Sequence, residues 1–263
     1  MIILAGGYGK RLWPMTLNVA KPLLPVCGKP VIEYIVEKLN EIRFLGRLII
    51  STNLRFEDDF KKWVELYGDA RLEVIVEETR SEEEKLGAVR ALSKLSREIE
   101  NDAMVIAGDN LFTGSLRPMV EKYSGETIIG LYDVRDVELA KLYGVVQIGE
   151  GARIIDFVEK PEKPASTLIS TGIYIFPRRI LNMIEQYLCE GGGGDRLGEF
   201  IQWLYRRVPV YGHILDGEWW DIGDIKSYKS AIETLSKRLG YPGDISCETT
   251  IITPNEAGKS DFP

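Results

Sequence analysis

Three glycines in four positions, Gly6, Gly7 and Gly9, follow a short apolar run, Ile2 to Leu4, with only Ala5 between. A strand that runs into residues lacking Cβ can turn sharply enough for successive peptide N–H groups to face one concavity. Cations flank the turn: Arg11 stands directly after the loop, and Lys21 lies on the return past Pro14 and Thr16. A row of N–H donors beside a guanidinium and an ammonium suits a polyphosphate. Glycines alone would mark a structural turn just as readily. Two familiar phosphate-loop patterns do not fit. The string G-x-x-x-x-G-K-[ST] is absent, and G-x-G-x-x-G started at Gly7 and Gly9 meets Leu12 at its third glycine.

The rest of the first half alternates. Pro30 opens a predicted helix over 31–42, where Ile32, Ile35, Val36, Leu39 and Ile42 recur at helical spacing. Strands are predicted at 47–51, 72–76 and 104–107, and helices over 53–67 and 86–97, the last behind a charged, exposed stretch at 78–85. Such alternation predicts an α/β fold, a Rossmann-like, mostly parallel sheet flanked by helices. After residue 125 the rhythm changes. Strands are predicted at 127–134, 168–176 and 208–214, with a hairpin over 143–158 turning at Gly149 to Gly151. The four glycines 191–194 read as a flexible linker or loop tip, Asp195 as the cap of the next helix, and 225–239 as the final helix. The expected layout is a single domain over 1–240, its second half 126–240 forming an antiparallel lobe on the first, 1–125, followed by a tail over 241–263.

Of the 263 residues, 33 are Lys or Arg and 40 are Asp or Glu, a net charge of −7. That balance argues against nucleic acid or an anionic membrane as partner. Cys27, Cys189 and Cys247 are odd in number and widely spaced, which suits neither a disulfide framework nor a zinc site. Residues 1–4 are too short for a secretory apolar region, and no apolar run reaches membrane-spanning length, so a cytoplasmic protein is expected. Trp203 and Tyr205 could serve a homo-oligomer interface, though the core is their more ordinary place.

The spacing L-A-G-G-x-G-x-R-L-x-P-x-T, then K-P-L-L-P-V, resembles the signature of the sugar-1-phosphate nucleotidyltransferases, the nucleoside diphosphate sugar pyrophosphorylases. The resemblance continues in V-I-A-G-D-N around Asp109 and W-W-D-I-G around Asp221, and implies that both aspartates hold Mg²⁺. Two carboxylates suit Mg²⁺, which takes few protein ligands and keeps waters and phosphate oxygens. It further implies a nucleotide site built on Leu4, Ala5, Gly6, Gly7, Gly9, Arg11, Gly87 and Asp109, where Gly87 lets a base approach the backbone. Tyr143, Gly144, Glu159, Lys160, Thr171 and Gly172 match the family's sugar-phosphate segments, Lys160 binding the phosphate and Glu159 the hydroxyls. Arg11, Lys21, Asp109 and Lys160 are the expected catalytic set. On this resemblance 1–125 becomes the nucleotide-binding half and 126–240 the sugar-phosphate-binding half.

The implied reaction joins a nucleoside triphosphate to a sugar 1-phosphate and releases pyrophosphate. The G-D-N, Y-G-V-V and T-G variants are most similar to glucose-1-phosphate thymidylyltransferases, which favours glucose 1-phosphate with dTTP or UTP. A phosphocholine-type cytidylyltransferase, a mannose-1-phosphate guanylyltransferase and a nucleotide-sugar-binding regulatory subunit stay open as alternatives. The stretch after 239 leaves no room for the left-handed β-helix of acetyltransferase-fused relatives, so a second activity is not expected.

Overall fold

The computed structural model describes residues 1–42 and 46–239; the predicted tail over 241–263, Cys247 included, lies outside the described residues. Strand β1 (Ile2–Leu4) enters the glycine loop, and a small hairpin of β2 (Pro25–Val26) and β3 (Lys29–Pro30) returns the chain to α1 (Val31–Asn40). Then come β4 (Leu48–Asn53), α2 (Glu57–Tyr67), β5 (Leu72–Glu77), α3 (Ala88–Ser96) and β6 (Ala103–Ala107). Each predicted element of this half is present within a few residues. A short strand that periodicity could not reveal follows immediately, β7 (Asn110–Phe112), before the short helix α4 (Arg117–Glu121).

The second half supplies β8 (Thr127–Asp133), α5 (Val137–Ala140), β9 (Gly144–Ile148), β10 (Ile154–Glu159) and β11 (Leu168–Phe176). It ends with α6 (Arg178–Cys189), α7 (Leu197–Leu204), β12 (Val210–Ile214), β13 (Trp219–Asp221) and α8 (Ile225–Leu239). One nine-stranded sheet takes strands from both halves, in the order β10-β9-β11-β6-β1-β4-β5, with β8 beside β11 and β12 beside β8. Pairings β6-β1, β1-β4 and β4-β5 are parallel; β11 joins β6 antiparallel. The expected antiparallel lobe is therefore an extension of the same sheet, and its last strand, β12, lies parallel to β8.

Strand alternation sends neighbouring side chains to opposite faces. Ile3, Ile50 and Ile106 join a core with Ile32, Ile35 and Phe60 of α1 and α2, while Ile2, Ile49 and Val105 join the core under α3, α6 and α7. A third cluster binds Tyr228, Ala231 and Leu235 of α8 to Leu12, Leu111 and Ile222. Trp203 stacks on Phe200 and donates from Nε1 to Glu190 at 2.7 Å, as an internal contact would. No helix among the described residues is long and apolar enough to cross a membrane.

The four glycines do not form a linker. Residues Gly194 and Asp195 lie on the N-terminus of α3, whose first N–H groups have no partner within the helix. Ala88 N donates to Asp195 O at 3.0 Å, and Val89 N and Arg90 N donate to Gly194 O at 3.1 and 3.2 Å. A Cβ on Gly192 would stand 2.3 Å from the Tyr187 ring, so close packing requires glycine there, whereas one on Gly194 would displace the Arg90 guanidinium. Nor does Asp195 cap α7: Arg196 holds that position without a side-chain bond, and the Asp195 carboxylate faces Lys85 at 3.4 Å instead. Gly87 answers this loop from the other side, with φ 83° and ψ 156°, and a Cβ there would stand 2.5 Å from Gly194 O. Gly87→Ala should therefore cost about 2–4 kcal/mol in urea unfolding, strain and overlap combined. Gly7→Ala, with nothing within 4 Å of its added Cβ, should cost less than about 1 kcal/mol.

Candidate active site

The carboxyl ends of β1, β4, β5 and β6 share one edge of the sheet, where open α/β sheets collect ligands. Gly9 turns the loop there through a left-handed conformation (φ 63°), pinned by Thr16 Oγ1 donating to Gly9 O at 2.8 Å. A short helical turn, Lys10–Leu12, then aims Arg11 away from the buried Leu12. Gly7 borders open space. Leu4 and Ala5 frame the loop through the sheet: Leu4 O accepts from Gly108 N at 2.8 Å, and Ala5 N donates to Ser51 O at 2.7 Å.

Gly108 is the pivot that brings Asp109 to the loop. A Cβ at this position would stand 3.0 Å from Leu4 O and 3.1 Å from the Pro22 ring, so a larger residue would push β6 away from β1. Asp221 arrives from the far end of the sequence. β13 pairs antiparallel with β7, setting Asp221 opposite Asn110, and Ile222 N donates to Asp109 O at 2.9 Å. Two further bonds lock this ribbon. Trp219 Nε1–H donates to Asn110 Oδ1, and Asn110 Nδ2 donates to Ala107 O at 3.1 Å. The sequence carried W-W-D and G-D-N as strings; that the tryptophan holds the asparagine was not visible in either.

Charges converge on the pair. Lys21 Nζ forms an ion pair with Asp109 Oδ2. Burial opposes the Lys21 ammonium, but the Asp109 and Asp221 charges outweigh it and hold its pKa above the usual lysine value. Asp221 Oδ1 is buried without a hydrogen-bond partner. Burial, then the Asp109 charge, pushes the Asp221 pKa up to about 7, against the pull of Lys21, Arg11 and Lys160. Arg11 Nη2 and Asp221 Oδ2 both border Gly223, at 3.2 and 3.1 Å from where its Cβ would be.

The antiparallel strands bring the remaining predicted residues to the same edge. Tyr143 meets Trp219 edge-on at 5.4 Å, and burial with the Asp221, Asp224 and Asp109 charges raises its phenol pKa. Lys160 directly follows β10 in a left-handed conformation (φ 48°) and donates its N–H to Tyr143 O at 3.0 Å. Glu159 lies opposite Gly144 in the β9–β10 ladder, its carboxylate wedged by Gly144 and Gly198. Burial raises its pKa, with Lys160 and Arg196 opposing. Gly172 (φ 80°) packs on Ala107 and Asn110 Nδ2, each 3.2 Å from an added Cβ. The Thr171 hydroxyl donates to Gly130 O at 2.9 Å, inside the sheet. Asp224 caps α8, accepting from Ser227 N at 2.8 Å, and His213 is buried in β12. Gly87 stands apart from these contacts: the glycine is explained by its packing on Gly194 and Asp195.

A bare buried carboxylate oxygen, raised by a second carboxylate alongside, is a donor set that fits Mg²⁺. No cluster of three or more His, Cys, Asp or Glu suited to a metal occurs among the described residues. Phosphate oxygens would then have to complete the shell.

Comparison with known proteins converges on one group. The family model described as nucleotidyl transferase matches residues 1–238. The bifunctional protein GlmU of Methanococcus vannielii is 31% identical over 229 residues, 84% of this chain and 51% of that one. A Sulfolobus acidocaldarius protein provisionally named mannose-1-phosphate guanyltransferase is 30% identical over 247 residues, 92% of this chain and 64% of that one. The chain thus spans about half the length of the GlmU relatives it matches. A solved Bacillus anthracis structure, in complex with a sucrose and provisionally named glucose-1-phosphate thymidylyltransferase, superposes with TM-score 0.78 at 28% identity. It covers 89% of this chain and 93% of that one.

The raised Asp221 pKa sets a stability trend opposite to that of most aspartates. Between the usual value near 4 and about 7, the native state holds a proton that the unfolded state releases, so stability falls as pH rises through that window. Asp221→Asn should therefore raise the melting temperature of metal-free protein at pH 8. The gain should shrink toward pH 4, at about 2–4 °C per kcal/mol for a chain of this size.

Proposed function

Because the chain belongs to the nucleotidyl transferase family, we propose that it transfers the nucleotidyl group of an NTP to a sugar 1-phosphate and releases pyrophosphate. One observation supports this above the others. The Lys21–Asp109 ion pair and the unpartnered Asp221 oxygen meet beside Arg11 at the mouth of a glycine loop. Glucose 1-phosphate is the acceptor favoured by the sequence resemblance, which pairs it with dTTP or UTP. The relatives carry different bases in their names and do not choose between them.

The acceptor's oxyanion is already ionised near neutral pH, since a phosphate monoester loses its second proton near pH 6. No general base is then required, in keeping with a lone histidine buried in β12. What the reaction does require is neutralisation and in-line alignment of two polyanions. Arg11 offers a planar fork to the departing pyrophosphate, the geometry that guanidinium shares with phosphate oxygens. Lys21 is positioned to exchange Asp109 for a phosphate oxygen, so the resting ion pair holds the ammonium charged and aimed. Lys160, fixed by the hydrogen bond its backbone N–H donates to Tyr143 O, faces the acceptor's phosphate, and Glu159 its hydroxyls. Gly7 leaves the loop open to close approach by the phosphates. Asp109 and Asp221 would hold Mg²⁺, which when bound supplies charge neutralisation and orientation to the phosphate oxygens.

Pyrophosphate release, measured across a matrix of NTPs and sugar 1-phosphates, tests the reading. Activity with a matched pair, lost at least 100-fold in Asp109→Asn, is the expected outcome for a charge-stabilised transfer. Arg11→Lys keeps the charge but loses the fork, and should lower kcat/KM about 10- to 100-fold. Turnover unchanged in Asp109→Asn would refute the assignment.

A further inference from the structure

Glu77 ends β5, and no step above uses it. The sheet order gives it meaning. Asp109 follows β6, the acceptor residues lie on β9 to β11 beyond it, and β1 carries the loop. With phosphates at the loop and the acceptor on that side, the nucleoside must extend the other way, over the ends of β4 and β5. Four polar side chains line that side: Ser51, Asn53, Glu77 and Thr79. Three are committed to the protein. Asn53 Nδ2 donates to Gly6 O at 3.0 Å while its Oδ1 accepts from Arg55 N, Thr79 Oγ1 faces Tyr8 Oη at 3.5 Å, and Ser51 Oγ donates to Glu77 at 3.0 Å.

Glu77 is left with capacity. Both its carboxylate oxygens stand over Gly6, at 3.0 and 3.3 Å from the position of an added Cβ. Ser51 Oγ is the single hydrogen-bond donor to it, and no ion pair reaches it among the described residues. Burial raises its pKa, and Lys94 exerts only a weaker, opposing pull. A half-buried carboxylate can only accept, and leaves its remaining lone pairs short of donors.

We propose that Glu77 selects the base, and that the base it selects is guanine. Guanine presents N1–H and N2–H₂ side by side, a pair of donors matched to the two oxygens of one carboxylate. Uracil and thymine present one N–H between two carbonyl oxygens, which an ionised carboxylate repels. Cytosine and adenine offer one exocyclic donor next to a ring acceptor. A site with a committed polar group rejects a ligand that leaves it unpaired far more strongly than an apolar pocket rejects a misfit. This assignment rests on the nucleotidyl-transfer reading and displaces the pyrimidine triphosphate carried by the sequence resemblance.

Isothermal titration of the full chain with GTP, UTP, dTTP, CTP and ATP in MgCl₂, run beside the pyrophosphate-release matrix, decides it. GTP should bind at least tenfold more tightly than UTP or dTTP. In E77Q, whose amide offers one donor and one acceptor, GTP should weaken about 10- to 100-fold while UTP or dTTP gains, inverting the order. E73Q, altering an exposed glutamate of the same strand that pairs with Arg47, should leave the order unchanged. If UTP or dTTP binds best in the wild type, or E77Q keeps the order, the Glu77 assignment falls while turnover still supports transfer. GTP bound tightest with no pyrophosphate from any pair would support Glu77 and overturn transfer. No nucleotide bound at all would overturn both.

Discussion

Two acidic side chains from opposite halves of the sequence are held together by main-chain pairing, and the rest of the site is arranged around that repulsion. The ribbon of β7 and β13 sets Asp221 beside Asp109, and neither charge chooses the arrangement. The Trp219–Asn110 bond and the apolar seal of α8 over Leu111 and Ile222 stabilise the ribbon against it. Lys21 relieves one acid, whereas the other keeps a bare oxygen and a pKa raised to about 7. Such pre-set, unrelieved charge is what a cation with its phosphates can satisfy without the protein having to reorganise.

The sheet decides what else can reach this point. Parallel strands β6, β1, β4 and β5 end on one edge, and β11 enters antiparallel beside β6 so that its early residues reach that edge too. The β9–β10 hairpin then adds Tyr143, Glu159 and Lys160. Glycines sit at three close approaches along this edge: Gly108 against the Leu4 carbonyl oxygen, Gly144 against the Phe157 ring, and Gly172 against the Ala107 methyl. On the proposed reading β1 divides the edge into an acceptor side and a nucleoside side, and on the second the half-buried Glu77 carboxylate has Ser51 Oγ as its one hydrogen-bond donor among the described residues.

Much of this was legible in the sequence because it is local. Strand-to-glycine transitions, helical spacing in α1 and the apolar runs of β4 and β6 each write their structure within a dozen residues. The β7–β13 ribbon was not legible: three residues on each side carry no period, and their partners lie more than a hundred positions apart. The glycine run 191–194 misled for a related reason. Glycine serves flexibility and close packing alike, and only the neighbours, here α3, Tyr187 and Arg90, tell which. Glu77 was passed over because a glutamate at a strand end before a charged stretch looks like solvent-facing surface. Its environment comes from Gly6, in the loop after β1, and Ser51, on β4.

The central claim is that Asp109 and Asp221 form one cation site that Lys21 occupies in part. A crystal structure with MgCl₂ and a non-hydrolysable nucleoside triphosphate measures this directly. The account predicts one metal bound by both carboxylates at about 2.1 Å, with phosphate oxygens in its remaining positions and the Lys21–Asp109 pair opened toward phosphate. A metal bound elsewhere, with Asp221 Oδ1 still bare and Lys21 still closed on Asp109, would contradict it.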